Sequence, residues 1–330
     1  MTVTITVVGL GQIGTSVGLA LEKEKEKFVR IGSDGDMVVS HRAEKMGAFD
    51  KTVVNLHKAV EGADIVVLAV PVDELRSTLE TIGSDLKPGA VVLDTSIVRV
   101  AAEKWASKYI PEDRYFVGFV PSINPDYLEE RELDVDSAHA DLFKNSLITI
   151  TSQPGMDADA LSLAYDLASM LGASVYFSDA HEIDGLNSAG QLLPMASAAA
   201  LINTLQAQPG WQETRKVAGR ALTEASLPLI NQPESKTYGT AMLENRDNVI
   251  RLLDDLIQGL AELRDLLKEG DADSLHAWME RATSGRKTWL RQRHSADWSL
   301  LPRPELPGKS DMFRQLFGLT GLKRQGKDKK

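Results

Sequence analysis

No cysteine occurs anywhere in the 330 residues, which excludes disulfide scaffolds, thiolate zinc sites and cysteine nucleophiles. Positive charge is also in deficit. Lys and Arg number 37 against 47 Asp and Glu, and a net charge of −10 has the wrong sign for a general nucleic-acid binder. Long hydrophobic runs are missing too: the longest, Leu192–Leu205, is shorter than a bilayer requires and contains Pro194 and Asn203. The apolar run Met1–Gly9 has no basic flank, and Gly9–Gly14 interrupts it before the core of a signal peptide could form. These absences predict a soluble, cytoplasmic protein that has no nucleic-acid or membrane partner. The histidines His41, His57, His139, His276 and His294 show no metal-ligand spacing, so no metal is expected. What remains is 43% hydrophobic and 25% charged, an ordinary globular composition, on a chain long enough for two domains.

The first half alternates short apolar runs with helical patterns. Thr4–Val8, Phe28–Gly32, Ile65–Val70, Val91–Asp94, Tyr115–Val120, Leu147–Thr151 and Ser174–Phe177 read as buried strands. Helical stretches lie between several of them, which predicts parallel pairing in an open, doubly wound α/β sheet over residues 1–178. From Asp179 the β signal ends. Ala180–Gln206, Thr240–Lys268 and Asp273–Arg293 read as long helices, so residues 179–296 form an all-α domain. Its apolar stripes need more cover than it gives itself, which predicts a homodimer through this half. Residues 297–330 read as a proline-containing linker and a basic tail.

Chemistry concentrates in Val7-Val8-Gly9-Leu10-Gly11-Gln12-Ile13-Gly14, which follows a strand and opens a helix. In such a loop Gly9 permits the tight turn, Gly11 lets backbone approach a pyrophosphate, and Gly14 lets helix and strand pack closely. Gln12 and Ile13 begin the helix whose free N–H groups face the phosphates. Asp34, at the end of the second strand, suits the hydroxyls of an adenosine ribose and repels a 2′-phosphate, which favours NAD over NADP; nearby Arg42 tempers the preference. Val70 and Pro71 end a strand where a nicotinamide would pass.

These residues resemble the prephenate/arogenate dehydrogenase family over nearly all of residues 3–270. The resemblance runs through Ser16, Gly18-Leu19-Ala20-Leu21, Ala69-Val70-Pro71, Asp94-Thr95-Ser96, Val117-Gly118, Pro121, Leu193-Pro194 and Glu244-Asn245-Arg246-Asp247. It implies an N-terminal Rossmann domain and a helical dimerisation and substrate domain. The implied activity is NAD(P)-dependent oxidation of a small ring alcohol with loss of CO2, on the route to tyrosine. The family pattern is broken at several positions. Val120 stands where the family has a catalytic histidine, and valine accepts no proton. Ile97 stands at the catalytic serine, leaving Ser96 one position early, and Arg99 replaces a lysine. Glu224 follows Thr223 where the family clamps a substrate carboxylate with arginine, and Gln191-Leu192-Leu193-Pro194 replaces Ser-His-Leu-Pro.

A polar stripe at the start of the first long helix offers replacements: His181, Asp184, Asn187, Ser188 and Gln191. His181 and Asp184 are the candidate acid–base pair with Ser96, and Asn187, Gln191 and Glu224 are the candidate substrate contacts. A plainer reading of His181 and Asp184 is a solvated helix start with an acid matched to the helix dipole. Two other functions fit the same residues: a catalytically silent NAD-binding homologue with a sensing or partner role, and an enzyme of the β-hydroxyacid dehydrogenase or imine reductase kind.

Overall fold

The computed structural model describes residues 2–131, 133–230 and 234–296. Its strands are β1 (Val3–Val8), β2 (Phe28–Ser33), β3 (Lys51–Thr52), β4 (Ile65–Leu68), β5 (Val91–Asp94), β6 (Tyr115–Pro121), β7 (Leu147–Thr151) and β8 (Ser174–Phe177). Together they form an eight-stranded sheet in the order β3-β2-β1-β4-β5-β6-β7-β8. The helices on its faces are α1 (Gln12–Ala20), α2 (Met37–Lys45), α3 (Leu56–Val60), α4 (Val72–Ile82), α5 (Arg99–Tyr109) and α6 (Ala158–Met170). Because both faces are covered, strands such as Ile65–Leu68 and Val91–Asp94 are buried at every position and read as continuous apolar runs. One core, including Ile5, Val67, Leu93 and Phe119, packs against α1 and α6; the other, including Val66, Leu75 and Val92, packs against α4 and α5.

All pairings are parallel except β6 with β7. The expectation of parallel pairing fails there for a topological reason. Among its described residues the 122–146 connection carries only short turns and no crossover helix, so the chain re-enters the sheet in the opposite sense. That connection instead lies over the start of α1. Gln12 donates to the Ser137 carbonyl at 3.0 Å, and the His139 N–H donates to Ser16 Oγ at 3.0 Å.

The remaining helices are α7 (Ala180–Asn187), α8 (Leu193–Gln206), α9 (Trp211–Val217), α10 (Arg220–Ala225), α11 (Glu234–Glu244), α12 (Arg246–Glu269) and α13 (Ala272–Ser295). The long helix expected over 180–206 forms with one π-turn at Ser188–Leu192, just before Pro194, whose missing N–H could not continue a regular ladder. The helix expected over 240–268 is instead broken at Asn245. Its side chain turns inward to donate to the Asp184 carbonyl and to Ser188 Oγ, both at 2.7 Å, and the backbone bends to allow it. A third cluster, Val72, Val98, Ala101, Leu192, Ala241 and Val249, fastens the helices to the sheet domain. On the far side, Leu243, Ile250, Ile257, Leu260 and Leu267 lie exposed along α11 and α12. The linker and tail expected over 297–330 lie outside the described residues.

Candidate functional site

A cleft of about 770 Å³ opens at the carboxyl ends of β1, β2, β4 and β5, where the strand order reverses. Gly9, Gly11, Gln12, Ile13, Asp34, Val70 and Pro71 all line it, as the sequence motif requires. The three glycines serve different ends. At Gly9 (φ +89°) a Cβ would fall 2.4 Å from the Ala69 carbonyl oxygen, and at Gly14 it would fall 1.9 Å from the Gly9 carbonyl oxygen. Those two are demanded by the fold, and Gly14 sits beneath the cleft without lining it. At Gly11 a Cβ would meet nothing closer than Leu133 O at 3.9 Å. Among the described residues nothing requires glycine there, so the space it leaves fits a ligand group pressed against the backbone. Gly11 also caps α1 without any side-chain acceptor, and no acid stands in the first turn. The end of α1 therefore presents free N–H groups and a positive dipole to an anion.

Asp34 stands where ribose hydroxyls would come. One carboxylate oxygen accepts from Leu10 N and the other from Asp36 N, both at 2.8 Å, which fixes the group in place and leaves lone pairs for further donors. The Gln12 side chain turns away to Ser137 O and Glu130, which leaves its backbone to serve the cleft. Along the opposite wall run Leu133, Asp134 and Val135, and Val38, Val39 and Arg42 of α2 line the same end. The 122–146 segment has no hydrophobic period, which is why it gave no signal in the sequence.

The other end is built from Val70–Val72 and Thr95–Ile97 of the sheet domain with Gln191, Thr237 and Tyr238 of the helical one. Thr237 Oγ1 donates to Asp73 at 2.7 Å and Lys236 pairs with the same carboxylate at 2.9 Å, tying α11 to the start of α4. Burial raises the Asp73 pKa, but these two bonds outweigh it and hold the carboxyl below its ordinary value. Among the described residues lining the cleft, Arg42 is the one cation, and it lies at the Asp34 end.

Beneath Ser96 lies a polar network. Ser96 Oγ donates to Asp94 Oδ2 at 2.7 Å, and Asp94 (1% exposed) pairs with the fully buried Arg99 guanidinium, which also donates to Thr151 Oγ1 at 3.2 Å. Gly118 makes room for it: a Cβ there would lie 2.6 Å from Arg99 Nε.

The polar stripe of α7 is placed differently from expectation. Asp184 is 4% exposed and does not line the cleft. Its carboxylate accepts from the backbone N–H of Arg99 at 2.5 Å and of Val100 at 3.1 Å. It thereby caps α5, whose own N-cap, Val98, has no side chain to do so. Burial pushes its pKa up, against these two hydrogen bonds. Asn187 donates to the Ile97 carbonyl at 2.9 Å and is likewise taken up by the domain junction. His181 is exposed at the first turn of α7 and lies outside the cleft lining. Glu224 is exposed on α10, also outside it, so the charge-reversed position does not face the cavity. Val120 is buried in β6, where it pairs with Thr149. Ser96 and Gln191 are the candidates from the helix stripe and strand end that the structure brings to the cleft.

An α/β nucleotide-binding domain joined to a helical domain, with a glycine loop and an acid at the strand ends, defines a dinucleotide-dependent oxidoreductase class. Family models agree. Residues 17–177 match the prephenate dehydrogenase nucleotide-binding domain, and residues 179–281 match the prephenate dehydrogenase dimerization domain. The chain belongs to the prephenate dehydrogenase family, NAD-dependent oxidoreductases of tyrosine biosynthesis. It is 23% identical to the prephenate dehydrogenase of Bacillus subtilis over 285 residues, 86% of this chain and 75% of that protein. It is 25% identical to the cyclohexadienyl dehydrogenase of Zymomonas mobilis over 271 residues, 82% of this chain and 90% of that one. Among solved structures, the A. aeolicus prephenate dehydrogenase in complex with hydroxyphenyl propionate and NAD+ superposes with a TM-score of 0.73 at 20% identity, covering 87% of this chain and 98% of that one. Synechocystis arogenate dehydrogenase gives a TM-score of 0.67 at 23% identity, covering 87% and 99%.

Proposed function

We propose that the chain binds NAD in this cleft and oxidises a small alcohol that is not the doubly anionic prephenate. The carrying observation is the asymmetry of the cleft: a nucleotide end with Gly11 open and Asp34 fixed, and a reacting end lined, among the described residues, by hydroxyls, an amide and apolar groups without a cation. NAD+ supplies the hydride acceptor when bound. Ser96 Oγ donates to Asp94 and accepts from Arg99 at 3.3 Å, which leaves a lone pair to accept from a substrate hydroxyl and orient it. As the hydride leaves, the hydroxyl proton passes to Ser96 while Ser96 gives its own to the Asp94 carboxylate, and Gln191, Thr237 and Tyr238 supply neutral hydrogen-bonding groups. Two carboxylates brought to such a wall would lose water without gaining a cationic partner, which disfavours their binding. His181, Asp184, Asn187 and Glu224 fall outside this reading, since none of them lines the cleft.

The working form in this reading is a homodimer closed over the exposed stripe Leu243, Ile250, Ile257, Leu260 and Leu267. A stripe of that size is unusual on a free surface, and the match of residues 179–281 to a dimerization domain supports the assignment. Calorimetric titration tests the nucleotide half. NAD is expected to bind more tightly than NADP, and Gly11→Val is expected to abolish binding while the melting temperature holds, because none of the described residues fills the space beside Gly11. NADP binding equal to or tighter than NAD would contradict the role given to Asp34.

A further inference from the structure

Arg42 lies on α2, just beyond the strand end that carries Asp34, and lines the cleft with Val38 and Val39. In doubly wound folds an arginine in this neighbourhood is the group that accepts the 2′-phosphate of NADP. Here it is already engaged: Arg42 Nε meets Asp136 Oδ1 at 2.5 Å, reaching across from the segment between β6 and β7. We propose that Asp136 is a positioning residue for cofactor choice. By holding the Arg42 guanidinium it withholds the cleft's cation from a 2′-phosphate. The inference rests on the dinucleotide reading above.

The turn that presents Asp136 is anchored. Asp134 caps it by accepting from Asp136 N at 2.9 Å, Val135 is buried beneath it, and Ser137 and His139 are bonded to Gln12 and Ser16 of α1. The carboxylate is therefore held by its backbone, and the pair loses less side-chain freedom than an ordinary surface pair between two mobile groups. Both side chains keep contact with water, at 54% for Arg42 and 40% for Asp136, so a bound phosphate could compete for the guanidinium if Asp136 were removed. Asp34 alone would act by repulsion; the Arg42–Asp136 pair acts by denying attraction. Selection against NADP thus has two separable sources.

The test is titration of NAD and of NADP into the full chain and into Asp136→Ala, Asp136→Glu, Arg42→Ala and the Asp136→Ala/Arg42→Ala double variant, with melting temperatures as a check on folding. Freed from its partner, Arg42 gains a charge-assisted contact, so Asp136→Ala is expected to tighten NADP binding roughly tenfold and to leave NAD within about twofold. Asp136→Glu is expected to restore the original ratio, and in the Arg42→Ala background the gain for NADP is expected to vanish. A gain that persists without Arg42 would show simple repulsion by Asp136 and overturn the proposal, as would an unchanged NADP affinity in Asp136→Ala. Should that variant not fold, Asp136→Asn carries the same expectation. Binding of neither nucleotide by the unmodified chain would instead defeat the dinucleotide reading itself.

Discussion

Removing the Asp184 carboxylate separates a structural role for this residue from a catalytic one. Asp184 reaches from α7 to the first turn of α5 and accepts the N–H groups of Arg99 and Val100 at 2.5 and 3.1 Å, in a setting where only 4% of the residue meets water. In Asp184→Ala both donors lose their partner, and helix caps of this kind are worth about 0.5–2 kcal/mol. Leaving buried donors unsatisfied costs about 1–3 kcal/mol. Against this stands relief of desolvation, since burial is what raises the Asp184 pKa. The net expectation is a loss of about 2–4 kcal/mol, and with 2–4 °C per kcal/mol for a domain of this size the melting temperature falls by roughly 5–15 °C. Asp184→Asn keeps one acceptor oxygen and is expected to fall between the variant and the parent. Thermal unfolding followed by circular dichroism reads the shift, and hydrogen exchange is expected to show the Arg99 and Val100 amides opening first. An Asp184→Ala protein that melts with the parent and exchanges these amides no faster would refute the cap and return Asp184 to the list of reacting groups.

Two further outcomes follow from the same geometry. Glu103 is half-buried and its pKa is raised, chiefly by desolvation, so the fold favours its protonated form; that contribution is fully present below about pH 4.5 and lost as pH rises through the raised value. Glu103→Gln is therefore expected to melt higher than the parent at pH 8 and to converge with it near pH 4, and a variant less stable at pH 8 would contradict the sign. For the dimer, sedimentation at micromolar concentration is expected to show twice the 36.0 kDa chain mass, and Ile257→Glu with Leu260→Glu is expected to shift it to monomer; a parent that sediments as monomer refutes the interface.

Much of the fold was legible because buried parallel strands announce themselves. Val91–Asp94, Leu147–Thr151 and Ser174–Phe177 have the bounds that their apolar runs indicate, and the glycine loop, Asp34 and the Val70-Pro71 strand end meet in one cleft. What escaped is what periodicity cannot carry. The two-residue strand β3 is too short to leave a pattern. The antiparallel return of β7 depends on a connection without a helix, and the break at Asn245 depends on a buried amide finding partners 57 and 61 residues away. The site shows the same division. Spacing on α7 put His181, Asp184 and Asn187 on one face, yet which neighbour that face meets is a tertiary fact. It meets the start of α5, whose unsatisfied N–H groups and the Ile97 carbonyl claim Asp184 and Asn187. Arg42 was visible as a nearby cation, whereas its partner Asp136 lies 94 positions further along and has no motif around it.

The central claim, a nucleotide-binding half that fits the family joined to a reacting half that does not suit prephenate, is tested most directly by NADH formation with prephenate and with arogenate under saturating NAD. With Val120 where the resemblance places the family's base, and no cation among the described residues at the reacting end of the cleft, the unmodified protein is expected to turn prephenate over 10²- to 10⁴-fold more slowly than an enzyme with a positioned base. Robust turnover of prephenate by the unmodified chain would contradict the account.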